Sequence, residues 1–243
     1  MVDKKIVILG GGFGGVRAAL ELERHLGKDK DYQILLVDQN TFHLYTPSLY
    51  EVATGELSSR CVLLPFHRIF RGKRIHFINA RINHVDPVRK IVQTSSGEEI
   101  SYWKLVFALG ADTEDFGIPG VVEYAIGLKS ITDAERIREG LAHCSVTRDK
   151  PIQVVIGGGG FTGVELAGEL PGYKNPSLRS GTLSPRKLGD ERCPLEITIV
   201  EAAPRVLAGL PEKISELAYQ RLNFLGVKVV LSSPIKKVGS SEV

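Results

Sequence analysis

The chain has 243 residues, a net charge of +3 and a hydrophobic fraction of 43%. This length accommodates one large or two modest domains, the apolar content excludes a disordered chain, and the small charge gives no reason to expect nucleic acid as a partner. No apolar run approaches the roughly 20 residues that cross a bilayer. The N-terminus also lacks the apolar stretch and cleavage site of a secretory signal, so we expect a cytoplasmic protein.

The cysteines and one basic segment say less about which class of function the chain has. The three cysteines stand far apart, without the C-x-x-C spacing typical of zinc sites or redox dithiols. Between Arg60 and Lys90, eight Lys and Arg residues accompany a single acidic residue, Asp86. This basic segment is either a solvated surface or a region that attracts an anionic dinucleotide or an acidic membrane.

The first predicted unit begins with an apolar, β-branched run at residues 6–9, which indicates a buried parallel strand. A glycine-rich turn with G-x-G-x-x-G spacing follows, and then an amphipathic helix that ends near Gly27. In such turns the first glycine allows a tight bend, the second admits a pyrophosphate, and the third lets the helix approach the strand. The next strand, 33–37, ends in an acid that can accept hydrogen bonds from a ribose. The residues predicted to bind here are Gly10, Gly12, Phe13, Gly14, Gly15 and Asp38.

The middle of the chain alternates short strands with helices. A further strand is predicted at 74–78, and partial alternation predicts a meander of three strands at 81–86, 90–94 and 99–102. Residues 105–109 are predicted to form a buried strand closed by Gly110. The spacing from Thr132 to Glu135 predicts a capping box, followed by a helix with Ala134, Ile137 and Leu141 turned inward.

The pattern of strand, glycine turn, helix, strand and acid recurs 148 residues later. A buried parallel strand predicted at 152–156 leads into glycines and a short helix that Pro171 cannot continue. A strand predicted at 196–200 ends in an acid. Residues 171–194 are predicted to form an inserted surface loop, because Pro, Ser, Gly and Arg dominate them. A helix at 211–225 and a strand at 227–231 come last. The binding residues predicted for this copy are Gly158, Gly160, Phe161, Thr162, Gly163 and Glu201.

A single G-x-G-x-x-G is weak evidence, but strand, glycines, helix, strand and acid in the same order twice is strong. We therefore predict an α/β chain with two Rossmann-like dinucleotide-binding domains, residues 1–115 and 116–243. The acid at Glu201 would repel a 2′-phosphate, which predicts NADH rather than NADPH. Arg205, four residues later, weakens that prediction.

Four segments resemble one family, the type II NADH dehydrogenases, which are single-chain NADH:quinone oxidoreductases among the FAD-dependent pyridine nucleotide-disulfide oxidoreductases. The segments are Phe42 to Gly55, Leu105 to Thr113, Ile118 to Val121 and Phe161 to Leu170. The resemblance implies FAD in the first domain, NADH in the second, and a quinone or similar small electron acceptor.

The resemblance also implies roles for individual residues. Thr46 and Pro47 would lie along the flavin, Ala108 and Gly110 would close the strand against FAD, and Glu165 would sit catalytically beside the two rings. Some of these residues have a simpler alternative. Glu165 is then a first-turn acid favoured by the helix dipole, and Thr46 and Pro47 form an ordinary loop kink. His43, in the same segment, is then a packed or solvated histidine.

Further parts of that family's fold have no counterpart before Val243: an apolar strand ending in Gly-Asp, and a C-terminal domain with the quinone site and a peripheral membrane surface. Gly189-Asp190 follows no apolar strand. We therefore expect a truncated chain that holds flavin weakly. The alternatives are a non-catalytic dinucleotide-binding fragment and a flavoenzyme resembling ferredoxin or rubredoxin reductases.

Overall fold

The computed structural model describes residues 4–144, 151–173 and 195–243. The helices are α1 (Phe13–Leu26), α2 (Leu49–Thr54), α3 (Phe66–Ile69), α4 (Val121–Tyr124), α5 (Ile131–Cys144), α6 (Phe161–Glu169) and α7 (Glu212–Phe224). The strands are β1 (Lys4–Leu9), β2 (Tyr32–Asp38), β3 (Phe42–Leu44), β4 (Leu63–Pro65), β5 (Ile75–Asn79), β6 (Ile82–Asp86), β7 (Ile91–Thr94), β8 (Glu99–Ser101), β9 (Lys104–Phe107), β10 (Ile152–Gly157), β11 (Leu195–Val200) and β12 (Lys228–Val230). Within these ranges, no helix has the length and hydropathy needed to cross a bilayer.

The chain forms two units, which we call unit 1 (residues 1–45 and 60–112) and unit 2 (residues 46–59 and 113–243). The division differs from the predicted domains, 1–115 and 116–243, chiefly at residues 46–59. This segment groups with unit 2 because α2 packs on α5 and α6. Its Leu49, Val52 and Ala53 are buried.

Unit 1 is built on a parallel sheet with the strand order β5-β2-β1-β9. The predicted burial of β1 is confirmed, and β2 is buried as well, because both faces of these central strands are covered. One face packs against α1 and α3, and the other packs against the antiparallel meander β6-β7-β8, which is also confirmed. Two-sided burial explains why both strands have continuous rather than alternating apolar sequence.

The predicted burial of residues 105–109 is wrong. Strand β9 ends at Phe107, whose side chain is 64% exposed, and Leu109 beyond it is 58% exposed. Among the described residues β9 lies at the end of the sheet, next to β1, so neighbours cover it only in part. An apolar run predicts a strand here but does not predict how much of that strand is covered.

Unit 2 repeats the arrangement with the parallel order β10-β11-β12. Helix α6 ends at Glu169, and Pro171 lies in the 3₁₀ turn that follows, which confirms the predicted short helix. Burial along β10 is uneven, contrary to prediction: Ile156 is buried but Val155 is 46% exposed, since β10 ends the described sheet. Most of the predicted loop at 171–194, with Gly189-Asp190, lies outside the described residues.

The predicted capping box of α5 is displaced by two residues. The Ser130 hydroxyl, not that of Thr132, accepts a hydrogen bond from the Asp133 backbone N–H at 3.1 Å. The Asp133 carboxylate in turn accepts from the Ser130 backbone N–H at 2.9 Å. This reciprocal pair satisfies two amides at the helix start. Ala134 and Leu141 are buried as predicted, and Ile137 is half-buried.

The glycine turns require glycine at particular places. Gly10 has φ +97° and its counterpart Gly158 has φ +105°, a region that side chains disfavour. A Cβ on Gly15 would lie 1.8 Å from the Gly10 carbonyl oxygen, and one on Gly163 would lie 2.1 Å from that of Gly158. Each helix therefore approaches its own turn too closely for any larger residue.

We predict that Gly15→Ala lowers the free energy of unfolding of unit 1 by about 1–3 kcal/mol or more, because its Cβ would meet backbone that cannot move aside. Gly14→Ala is the matched control, since its Cβ would have 3.8 Å to the nearest atom. Fluorescence of Trp103, the single tryptophan, reports urea unfolding of unit 1. Equal midpoints for the two variants would contradict this packing.

Candidate functional site

Each glycine turn lies between the carboxyl end of a parallel strand and the start of a helix. Helix α1 follows Gly12 and helix α6 follows Gly160, and in both cases no side chain caps the helix. The first-turn N–H groups and the helix dipole together favour an anion at this position. The predicted Phe13 and Phe161 both begin their helices and are exposed.

The carboxylate of Asp38 is held at the glycine turn of unit 1. One oxygen accepts a hydrogen bond from the Gly11 backbone N–H at 2.6 Å, and the other accepts from the Asn40 backbone N–H at 2.7 Å. Carboxylate oxygens have further lone pairs, so the group can still accept hydrogen bonds from a ribose. The end of β2 and the turn after β1 are thereby joined into one site.

Unit 2 contains the same connection. The Glu201 carboxylate accepts from the Gly159 backbone N–H, and its second oxygen accepts from the Ala203 backbone N–H at 2.6 Å. Gly159 stands 148 residues after Gly11, so the two copies share this hydrogen bond as well as their sequence pattern. The predicted Glu201 and glycines of this copy therefore come together in space.

Sequence reasoning did not single out Gly11 or Gly159, which occupy a variable position of the G-x-G-x-x-G pattern. Both are glycine because the space beside them is filled. A Cβ on Gly11 would lie 2.1 Å from the Phe66 ring, and one on Gly159 would lie 3.0 Å from the Val206 side chain. The sequence did contain a signal for them: in both copies the position between the first two glycines of the pattern is also glycine.

The carbonyl of the same central glycine is also bound. In unit 1 the His43 ring lies with Nδ1 2.9 Å from the Gly11 carbonyl oxygen, and because a carbonyl only accepts, Nδ1 donates. In unit 2 the Leu207 backbone N–H donates to the Gly159 carbonyl at 2.7 Å. His43 is buried and its ring meets that of Phe13 edge-on. It is therefore a packed histidine that holds the turn.

A cavity of about 510 Å³ opens beside the turn of unit 1. Gly10 and Asp38 line one side, and the start of the meander, residues 80–85, lines the other. A groove between an acid-anchored turn and polar side chains has the size of a small-molecule site. It is suited to the adenosine half of a dinucleotide.

The remaining predicted flavin contacts divide between the units. The Ala108 backbone lies against Gly10, and Gly110 follows β9 with φ +79°, both in unit 1. Thr46 and Pro47 form an exposed 3₁₀ turn that leads into α2 of unit 2. Their roles toward a flavin stay predictions.

Acidic side chains of α2 and α6 gather in unit 2. Glu165 is exposed, and partial desolvation raises the pKa of its carboxyl; its catalytic role stays a prediction. Burial raises the pKa of half-buried Glu169, and the neighbouring carboxylates of Glu56 and Glu51 raise it further. Among the described residues, no group of three or more His, Cys, Asp or Glu is placed to hold a metal.

Comparisons with known proteins agree with this geometry. The pyridine nucleotide-disulphide oxidoreductase family model matches residues 4–243. The type II NADH:quinone oxidoreductases of Staphylococcus haemolyticus (strain JCSC1435) and Staphylococcus aureus (strain NCTC 8325 / PS 47) are each 30% identical over 239 residues, covering 96% of this chain and 57% of theirs. The chain thus spans little more than half the length of these relatives.

Solved structures give the same fold. NDH2 from Plasmodium falciparum in complex with NADH superposes with a TM-score of 0.77 at 25% identity, covering 98% of this chain and 50% of that one. The sulfide:quinone oxidoreductase from Aquifex aeolicus superposes with a TM-score of 0.76 at 22% identity, covering 97% and 52%. The latter likeness concerns the fold alone.

We predict that His43→Leu weakens ADP binding about fivefold, since losing a hydrogen bond of about 1 kcal/mol loosens the Gly11 peptide. His43→Asn should retain most of the affinity, because its amide nitrogen can occupy the position of Nδ1. Calorimetric titration of both variants with ADP measures the difference. Equal losses in the two variants would show that ring packing, rather than the hydrogen bond, matters.

We predict that Glu169→Gln stabilises unit 2 at pH 7.5 more than at pH 4. A raised pKa means that Glu169 contributes stability when protonated and loses it as pH rises through its folded-state pKa. Glutamine removes that loss. Calorimetric melting at both pH values measures the change, with Glu123→Gln on exposed α4 as control. A larger gain at pH 4 would contradict the direction of the shift.

Proposed function

Because the chain belongs to the pyridine nucleotide-disulphide oxidoreductase family, we propose that it is part of an NADH:quinone oxidoreductase that binds FAD in unit 1 and NADH in unit 2. The observation that carries this proposal is the pair of acid-anchored glycine turns. Two dinucleotide sites in one chain suit an enzyme that passes electrons from one cofactor to another. A non-catalytic binding fragment would have no use for both.

FAD fits the residues of unit 1. The Gly10–Gly15 turn would hold the pyrophosphate at the start of α1, and Asp38 would bind the adenosine ribose beside the cavity. In unit 2 the Gly158–Gly163 turn and Glu201 would bind NADH in the same way. A bound flavin supplies the redox chemistry, accepting a hydride from NADH and releasing electrons to an acceptor.

Quinone is the acceptor we favour. The relatives at 30% identity are NADH:quinone oxidoreductases, whereas ferredoxin and rubredoxin reductases resemble this chain at 20–24%. In FAD-loaded protein supplied with NADH, a soluble quinone should therefore be reduced faster than ferredoxin or rubredoxin. Faster reduction of either protein would favour the alternative enzyme class.

We also propose that the protein works in the cytoplasm and that any membrane contact it makes is peripheral.

We predict that Asp38→Asn and Glu201→Gln separate the two cofactors. Each substitution removes a charge but retains an acceptor for the glycine N–H, so folding should survive. Losing charge-assisted hydrogen bonds of about 1.5–3 kcal/mol should weaken binding about 10- to 100-fold. Calorimetry of the 243-residue chain should show that Asp38→Asn weakens FAD binding alone and Glu201→Gln weakens NADH binding alone. Loss of both cofactors in either variant would sink the assignment.

We also predict that the parent chain binds NADH more tightly than NADPH. The Glu201 carboxylate, fixed by two backbone N–H groups, would repel a 2′-phosphate at the ribose. Glu201→Gln should narrow the difference, measured as the ratio of the two dissociation constants. Equal affinities in the parent chain would contradict this role.

A further inference from the structure

We propose that Arg205 is a positioning residue that holds the dinucleotide turn of unit 2 in place and thereby preserves its preference for NADH over NADPH. The part concerning coenzyme choice rests on the function proposed for unit 2. In the sequence, Arg205 is a cation four residues after Glu201 that weakens the predicted preference for NADH. Its contacts in the fold indicate the opposite role.

The Arg205 guanidinium binds the protein's own loop and helix. One terminal nitrogen, Nη1, donates to the Leu210 carbonyl and to the Ser215 hydroxyl, both at 2.8 Å. The other, Nη2, donates to the Ala208 carbonyl at 2.8 Å. Ser215 lies on α7 and is only 3% exposed, so this end of the connection is anchored in the core.

Residues 205–210, held by these hydrogen bonds, pack against the glycine turn of unit 2. Val206 is 1% exposed, and its side chain fills the space beside Gly159. Leu207 donates its backbone N–H to the Gly159 carbonyl at 2.7 Å. Leu207 adopts φ +49°, a left-handed conformation that a leucine holds only when its surroundings impose it.

Those surroundings lead back to Arg205. The Ser215 hydroxyl that accepts from Arg205 also lies 3.3 Å from the Leu207 carbonyl, to which it donates. The hydroxyl therefore binds the carbonyl of the strained residue, and the guanidinium binds the carbonyl of Ala208, which follows it. The backbone of Gly159 is consequently held at its carbonyl by Leu207 and at its N–H by Glu201.

Coenzyme choice follows from the same contacts. A guanidinium within a few residues of the ribose acid is the group that could neutralise a 2′-phosphate. Here three of its five N–H donors are directed at two carbonyls and a buried hydroxyl. These bonds hold the guanidinium against its own loop and α7, and moving it toward a 2′-phosphate would break them and release Leu207. Glu201 therefore keeps its unfavourable charge toward NADPH.

The test uses Arg205→Met, which keeps the length of the side chain and removes its donors. Arg221→Met is the matched control, because Arg221 is an exposed arginine of α7 that lies over the Phe224 ring. Arg205→Lys tests rescue, since an ammonium can still bind part of the acceptor set. All variants are made in the 243-residue chain, and circular dichroism establishes that they are folded.

The first measurement is hydrogen exchange of the 203–210 peptide without coenzyme. Arg205→Met should speed exchange in this peptide about tenfold or more, corresponding to loss of about 1.4 kcal/mol of local protection. Arg205→Lys should fall between, and Arg221→Met should match the parent. Unchanged protection in a folded Arg205→Met chain overturns the positioning role, whether or not the site binds NADH.

The second measurement is the ratio of the NADPH and NADH dissociation constants. Loosening the turn should weaken NADH binding more than NADPH binding, so that Arg205→Met lowers this ratio about tenfold. A purely structural role would weaken both coenzymes equally and leave the ratio unchanged, which would overturn the claim about choice. A parent chain that binds neither coenzyme would instead remove the function proposed for unit 2, with the exchange result deciding the positioning role separately.

Discussion

The hydrogen bond from the central glycine of each turn to the acid that ends the neighbouring strand is the contact on which both candidate sites depend. This one hydrogen bond fixes both the glycine backbone of the turn, where a pyrophosphate would bind, and the carboxylate that would bind a ribose. The two groups are 27 and 42 residues apart in the chain and meet only because β1 pairs with β2 and β10 with β11. The parallel register is therefore part of each binding site.

The two units secure the same peptide by different means. Unit 1 uses a buried side chain, His43, to bind the glycine carbonyl, whereas unit 2 uses a backbone N–H from a loop held by Arg205. The side chain that packs beside the central glycine also differs: it is the Phe66 ring in unit 1 and Val206 in unit 2. The constraint on the peptide is thus repeated more faithfully than the residues that impose it.

Charge also divides the units. Desolvation raises the pKa of the Glu165 and Glu169 carboxyls, and the carboxylates of Glu56 and Glu51 raise the pKa of Glu169 further. Glu51 and Glu56 lie near Glu169 because residues 46–59 join unit 2. A carboxyl with a raised pKa can hold a proton nearer to neutral pH than an ordinary one, a property that redox sites often use. This property comes from packing, because desolvation is the largest cause of both shifts.

The sequence by itself determined the two strand–turn–helix units, the ends of α6 and α7, the meander, and the acids Asp38 and Glu201. These follow from local rules: apolar runs, glycine spacing and the stop imposed by Pro171. Tertiary structure alone decided the roles of Gly11 and His43 and the uneven cover of β9 and β10, because these depend on atoms that meet across long sequence separations. The cap at Ser130 and the contacts of Arg205 span only three to ten residues, but several nearby groups could make them, and neither periodicity nor propensity specifies which donor meets which acceptor.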